Sequence, residues 1–370
     1  MLKRHLDNFV SKLIDWWFRV STIERFLIAT GTGLLISIFG GLPLILGLLR
    51  LGLGTLPEGL IRVQQGIDTV DAWIIGIALL LIAVGLFLAI WRFLNDAKLR
   101  SKRRILVIEA RGLRDDDGNP LADAVGRDRD EAVTPIILDL RNRLDGRVIE
   151  PDNALADIAA AHRSLLQHKR DGDRANVTTV YGGLTSVPYT FLTGVLLDDE
   201  GGVLTYDWDR TREAWRKIDG EDDGSHFSVD GLGSLTGKEM VVAFAFSYPV
   251  RDDDLATTFN LPIVRLTLEN MSSDAHWSQK KQNRLAQEFF ETAKQLSASG
   301  VKRIHLVLAA PNSVVFTFGR RYDKRNLPEI VVYQYQRGMV PAYPWGVLMP
   351  VAGIERPQVL YSEPEAEQSS

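Results

Sequence analysis

Two long runs without a charged residue constrain this chain more than anything else in it. Phe26–Leu49 is 24 residues and Ala72–Trp91 is 20 residues, neither holding Asp, Glu, Lys or Arg. A helix rises about 1.5 Å per residue and a bilayer core is about 30 Å thick, so roughly 20 apolar residues span it. Both runs are predicted to be transmembrane helices. Trp73 and Trp91 bracket the second run, about 27 Å apart along a helix, where indoles sit at the two membrane interfaces. The first run is too long for a cleaved signal peptide, and residues 1–25 before it are too structured. The membrane module is expected to be retained.

Orientation follows from Lys and Arg. Residues 1–25 hold five, residues 92–104 hold six, and the connection 50–71 holds two. Both termini are expected on the cytoplasmic side. Neither span carries the ionisable group that a pump or transporter needs at membrane depth. In the first span Ala29, Gly33, Ser37 and Gly41 recur every four residues, a face on which a second backbone could pack closely, with Pro43 as a possible kink. Leu2, Leu6, Phe9, Leu13, Trp17 and Val20 form a helical stripe with Lys3, Arg4, Lys12 and Arg19 between them. Residues 1–25 therefore read as an amphipathic helix on the lipid surface.

From Ile105 the pattern changes to short β-rich runs alternating with amphipathic helices, the mark of an α/β fold with Rossmann-like sheets. Expected strands are Ile105–Glu109, Val177–Tyr181, Val203–Trp208, Met240–Phe246, Val264–Leu268, Ile304–Ala309 and Ile330–Tyr335. Expected helices are Asn153–His168 and Trp277–Ser297, the latter stopped by Gly300. Over 370 residues, 45% hydrophobic and 24% charged residues with net charge −4 exclude a disordered chain and a strongly basic nucleic-acid binder. The absence of cysteine excludes disulfides, thiolate metal sites and a cysteine nucleophile.

The α/β region repeats itself. Val177–Tyr181 leads into Gly182-Gly183-Leu184-Thr185-Ser186, then Phe191, Gly194 and a strand reaching Tyr206. Ile304–Ala309 leads into Ala310-Pro311-Asn312-Ser313, then Phe316, Gly319 and a strand reaching Tyr333. In both, Phe precedes Gly by three residues. Two facing Rossmann-like lobes are expected, about 105–236 and 237–362.

The order of segments over 105–362 resembles the SAVED domain. The stretch VKRIHLVLAAPNSVVFTFGRRYDKRNLPEIVVYQYQRG (301–338), followed by Tyr343–Leu348, carries the likeness best. FLTGVLLDDEGGVLTYDWDR (191–210), the Arg212–Gly220 stretch and MVVAFAFSYPV (240–250) support it. That family comprises sensors in bacterial anti-phage signalling by cyclic oligonucleotides, built of two lobes like those of CRISPR-associated Rossmann (CARF) sensors. The resemblance implies a ligand between the lobes, of the cyclic tri- or tetra-adenylate type, and no other cofactor. Two spans in place of a fused nuclease imply an effector at the bacterial inner membrane. It would assemble into homo-oligomers on activation and damage the bilayer, causing abortive infection.

Ligands of open α/β sheets bind beyond the carboxyl ends of strands, near helix N-termini. That places Tyr181, Gly182, Gly183, Thr185 and Ser186 with Ala310, Pro311, Asn312 and Ser313. Ser247 and Tyr248 follow another strand, and Arg111 follows the first. Tyr181, Tyr189 and Tyr248 are candidates to stack on bases, and Arg251 and Arg320 to pair with phosphates. Residues 105–370 carry 30 basic and 40 acidic side chains, so a small enclosed pocket is expected rather than a groove for long nucleic acid.

Other chemistry is poorly supported. Gly231–Lys238 approaches a phosphate loop, but Leu232 stands where its first Gly belongs and Glu239 where Ser or Thr would hold magnesium. The six His are scattered without metal spacing. The acidic runs Asp115–Asp117, Glu221–Asp223 and Asp252–Asp254 read as solvated loops. No catalytic constellation is found, so a non-enzymatic protein is expected. The alternatives are a membrane-anchored Rossmann-like enzyme acting on nucleotides or lipids, and a static anchor. Residues 92–104 read as a basic linker and 363–370 as a disordered tail.

Overall fold

The computed structural model describes residues 22–36, 69–102, 104–113, 119–127, 132–141, 143–144, 147–148, 150–170, 177–198, 202–234, 237–351 and 356–362. The chain divides into two compact units, Met1–Lys102 and Arg103–Ser370.

The first unit shows α1 (Thr22–Leu35) and α2 (Thr69–Lys102). Among the described residues, one helical stretch, Trp73–Arg92, is long and apolar enough to cross a membrane. The two helices run antiparallel, because Gly31 meets Ala78 and Ile82 while Gly85 meets Ile28 and the carbonyl of Glu24. A Cβ on Gly31 would lie 2.7 Å from the Ala78 carbonyl oxygen, so the seam depends on glycine at both crossings. Ala78 is buried in that seam, and Ala89 is buried as well. Trp73, Leu80, Phe87, Ile90 and Trp91 point outward and are exposed. Arg92 pairs with the buried Glu24 at 2.7 Å. Ala29 and Gly33 are exposed and lie off the seam. Ser37, Gly41, Pro43, most of the expected surface helix 1–25, the connection 50–68 and the tail 363–370 lie outside the described residues.

The second unit holds two main sheets. The first runs β2 (Ala132–Asp139), β1 (Arg104–Arg111), β5 (Val177–Leu184), β6 (Val203–Asp209), β7 (Ala214–Lys217). Its first four strands are parallel and β7 is antiparallel. The second runs β14 (Gln358–Tyr361), β13 (Trp345–Leu348), β12 (Glu329–Gln334), β11 (Arg303–Ala309), β9 (Glu239–Ala245), β10 (Ile263–Leu268), β8 (Phe227–Asp230). Here β10, β9, β11 and β12 are parallel, β13 again follows antiparallel, and β14 and β8 add an antiparallel strand at either edge. A two-residue pair, β3 (Arg143–Leu144) with β4 (Arg147–Val148), stands apart.

The two sheets therefore share one order: second strand, first, third, fourth, then an antiparallel fifth. The equivalent helices are α3 (Leu121–Arg127) and α6 (Asp252–Ala256), α4 (Pro151–Arg170) and α7 (Gln279–Ala298), α5 (Val187–Leu196) and α8 (Asn312–Arg321). The central strands are buried on both faces, which is why they read as continuous apolar runs. The expected lobe boundary at 236/237 falls between β8 and β9, both of which belong to the second sheet.

The strands β2, β7, β8, β13 and β14 were not anticipated. β2 carries Pro135 and sits at a sheet edge, where a missing N–H costs no ladder bond. The other four have only four residues each, too short for a periodic signal. Gly300 takes φ +96°, ending α7 as its position implied.

A cavity where the two sheets end

In the first sheet the order reverses between β1 and β5, in the second between β9 and β11. Crevices beyond such reversals are where open α/β sheets take ligands. Both open onto one cavity of about 610 Å³, within the range of roughly 300–1,000 Å³ typical of small-molecule sites. Leu113, Leu184 and Thr185 line it from the first reversal, and Ser247, Ala309 and Ala310 from the second. The close approach of the chain after β1 requires glycine, since a Cβ on Gly112 would lie 2.4 Å from Thr185 Oγ1.

Two helices start at this cavity, and each is capped across it. Gln334, at the end of β12, accepts from the Val187 N–H of α5 at 3.0 Å. Asp207, at the matching position of β6, accepts from the Ser313 N–H of α8 at 3.0 Å. Asn312 adds a bond from the Thr190 hydroxyl at 2.6 Å. These N–H groups were expected to be free for phosphates, but side chains already hold two of them.

Of the residues singled out from the sequence, Thr185, Ser186, Ser247, Tyr248, Arg251, Ala310, Pro311 and Asn312 line the cavity. The rest do not. β5 continues to Leu184, so Gly182 and Gly183 are strand residues rather than a turn. Gly182 lies under Leu121 and Trp215. Tyr181 is fully buried and stacks on Phe316 with centroids 3.7 Å apart. Tyr189 is buried against Trp345 and donates to the Pro151 carbonyl at 3.2 Å. Neither tyrosine can reach a base. Ser313 is buried, its hydroxyl accepting from Gln282. Arg320 sits in the last turn of α8 and donates to the Leu197 carbonyl. Arg111 pairs with Glu109 at 2.7 Å.

Among the lining residues that sequence reasoning missed are Asp207, Trp208, Arg210, Thr211, His276, Trp277, Gln334 and Tyr335. Asp207–Thr211 and Gln334–Tyr335 run over the end of the fourth strand of each sheet, so the repeat itself carried the signal. His276 and Trp277 come from the segment before α7, which has no counterpart in the pattern.

The cavity mixes three carboxylates, Asp207, Asp254 and Asp274, with two guanidinium groups, Arg210 and Arg251. Its aromatic walls are Trp208, Trp277, Tyr248, Tyr333, Tyr335 and Tyr343. Three lining residues hold buried polar atoms without a hydrogen-bond partner: Thr185 Oγ1, Ser247 Oγ and both ring nitrogens of His276. Buried polar groups in folded proteins are nearly always bonded. Thr185, Ser247 and His276 thus bring to the cavity polar atoms that a ligand could bond.

The family profile of the SMODS-associated and fused to various effectors sensor domain (SAVED) matches residues 158–349. That of the SAVED-fused 2TM effector domain matches residues 3–155. The join falls inside α4, although β1 and β2 belong to the same sheet as β5. Among solved structures, the Cap4 SAVED/CARF-domain receptor of Acinetobacter baumannii with the cyclic trinucleotide 2′3′3′-cAAA is 12% identical. Its TM-score is 0.45, and the match covers 73% of this chain and 55% of that one. The Cap4 receptor of Moraxella osloensis is 15% identical with TM-score 0.41, covering 73% and 53%. This chain thus accounts for little more than half the length of either. No curated protein matches it. The chain belongs to the SAVED family, as a sensor domain joined to a two-transmembrane effector domain.

Proposed function

We propose that this protein is a ligand-gated membrane effector: a cyclic oligonucleotide binds in the cavity between two CARF-like lobes and activates the membrane module. The observation that carries this reading is the convergence of both strand-order reversals on one cavity with unpartnered buried hydroxyls and aromatic walls. Membership in a sensor family selects the ligand class, and the Cap4 relatives solved with cyclic triadenylates suggest ring and base. Stacked bases suit Trp208, Trp277, Tyr248 and Tyr335, while Arg210 and Arg251 suit phosphodiesters.

In this reading both termini are cytoplasmic, residues 1–25 lie along the inner leaflet, and the sensor acts by binding without turnover. Ligand-bound sensors assemble head to tail, cluster the hairpins and breach the inner membrane. The test is dye leakage from liposomes holding the full-length protein, with and without cyclic triadenylate. Leakage that depends on the nucleotide supports the reading. Nucleotide-independent behaviour leaves a static anchor, and consumption of the nucleotide makes the protein an enzyme.

A further inference from the structure

His276 lies on the segment between β10 and α7, at the wall of the cavity. Its side chain is 6% exposed, and Nε2 stands 3.7 Å from Asp207 Oδ2, beyond hydrogen-bond reach. Neither ring nitrogen makes a well-formed hydrogen bond, and the polar groups beside the ring are Asp207 and the Ser273 backbone. The segment is nonetheless fixed. Gln282 Nε2 donates to the His276 carbonyl at 2.6 Å and to Ser313 Oγ at 3.0 Å. Trp277 packs on the imidazole at 4.2 Å, and Arg216 stands over the Trp277 ring. A buried imidazole is thus held at a cavity wall, with Asp207 and the Ser273 backbone as its polar neighbours.

The charges around it decide what it can take. Burial disfavours the protonated ring and holds its pKa below the ordinary imidazole value; Asp207 on β6, the Ser273 backbone and Asp274 on its own segment favour the cation, and Arg216 on β7 opposes it. Arg210, Arg251 and Asp254 line the same cavity. Without a ligand anion the balance favours the neutral ring, with the Asp207 carboxylate 3.7 Å from Nε2. A ligand anion brought beside the ring adds negative charge in poorly solvated surroundings, where Coulomb attraction is much stronger than in bulk water.

We propose that His276 binds an anionic phosphodiester oxygen of the ligand and takes up a proton as it does so. This rests on the cyclic-oligonucleotide reading and goes beyond it by naming the contact and its proton balance. No bond is made or broken; one proton moves from solvent to the ring. A phosphodiester does not titrate near neutral pH, so the proton must reside on the protein. Because the complex holds more protons than its separated parts, affinity rises as pH falls. For one proton the rise is up to about tenfold per pH unit between the free and bound ring pKa values, and it levels off below the free value.

The experiment is calorimetry on the full-length chain in detergent, titrated with 3′3′3′-linked cyclic triadenylate at about pH 7. Two buffers of different protonation enthalpy are compared. We expect an enthalpy that depends on the buffer in the sense of proton uptake, and tighter binding at acid than at alkaline pH. His276→Gln should remove both the uptake and the pH dependence. Binding without proton exchange in the unaltered protein overturns this assignment and leaves the proposed function standing. Uptake that survives in a folded His276→Gln variant also overturns it. Failure to bind any of a panel of cyclic di-, tri- and tetra-adenylates overturns both.

Discussion

Gly194 and Gly319 face each other across the contact between α5 and α8, each excluding a side chain from the other's backbone. A Cβ on Gly194 would lie 2.3 Å from the Phe316 carbonyl oxygen, and one on Gly319 would lie 2.2 Å from that of Phe191. Each phenylalanine precedes its own glycine by three residues, so the contact is reciprocal. Gly194→Ala and Gly319→Ala should each destabilise the sensor by about 1–3 kcal/mol, the usual cost of overpacking. The double variant should cost less than the sum, because both changes open one contact. Thermal unfolding of the three variants measures this.

The unpartnered hydroxyls make the opposite prediction. Thr185→Val and Ser247→Ala remove buried groups that bond to nothing in the described structure. Stability should hold or rise, since an unsatisfied hydroxyl is lost. Affinity for cyclic triadenylate should fall about two- to tenfold per variant, the worth of one neutral hydrogen bond. A drop in melting temperature with unchanged affinity would assign these hydroxyls a structural role instead.

How far the sequence could be read divides along physical lines. The spans and most central strands were legible because a bilayer and a doubly covered sheet both demand unbroken apolar runs. The Phe191–Gly194 and Phe316–Gly319 echo was legible because a close helix crossing demands glycine. The site was half legible. Thr185, Ser247 and Asn312 follow strands that alternate with helices, and their position alone placed them at the cavity. Tyr181 and Tyr189 misled because an aromatic ring suits a core as well as a base, and composition cannot say which face of a strand is covered. Gly182-Gly183 misled for a related reason: paired glycines signal a turn, yet here they thin a strand beneath Leu121 and Trp215. His276 was invisible because its meaning comes from Asp207, far away in sequence.

Acid should weaken the fold in two stages. His305 bridges Tyr333 and Glu239 at 2.9 and 3.0 Å, and burial holds its ring below the ordinary value of 6.5. His162 is lowered in the same way, by burial. A folded pKa below the unfolded one means the unfolded chain binds more protons. Stability is then full above the unfolded value and declines as pH falls below 6.5. The second stage involves Asp222, lowered by its bond from Arg284, and Asp223, held to about 2 by Lys281 and Ser225 against the larger opposing effect of burial. Their contribution is present above the ordinary carboxylate value and is lost as pH falls through the depressed ones. Denaturant midpoints measured from neutral to strongly acid pH should show both declines. His305→Gln should reduce the first stage, leaving the share of His162, and leave the second unchanged.

The membrane hairpin separates two faces of α1 that composition alone does not distinguish. Gly31 meets α2 from one side, and the reciprocal crossing is at Gly85, where a Cβ would lie 2.7 Å from Ile28 Cγ1. Gly33 has nothing within 4 Å of a built Cβ and lies on the exposed side with Ala29. Without a hydrophobic drive between helices in lipid, close packing at small residues is what holds them together. Gly85→Leu should therefore force the hairpin apart, reducing cysteine crosslinking between α1 and α2 within one molecule. Gly33→Ile should leave that crosslinking intact. If clustering of hairpins breaches the bilayer through the exposed face, Gly33→Ile should still lower nucleotide-triggered leakage several-fold, with ligand affinity unchanged. Full leakage from Gly33→Ile would place the intermolecular contact on another surface of the hairpin.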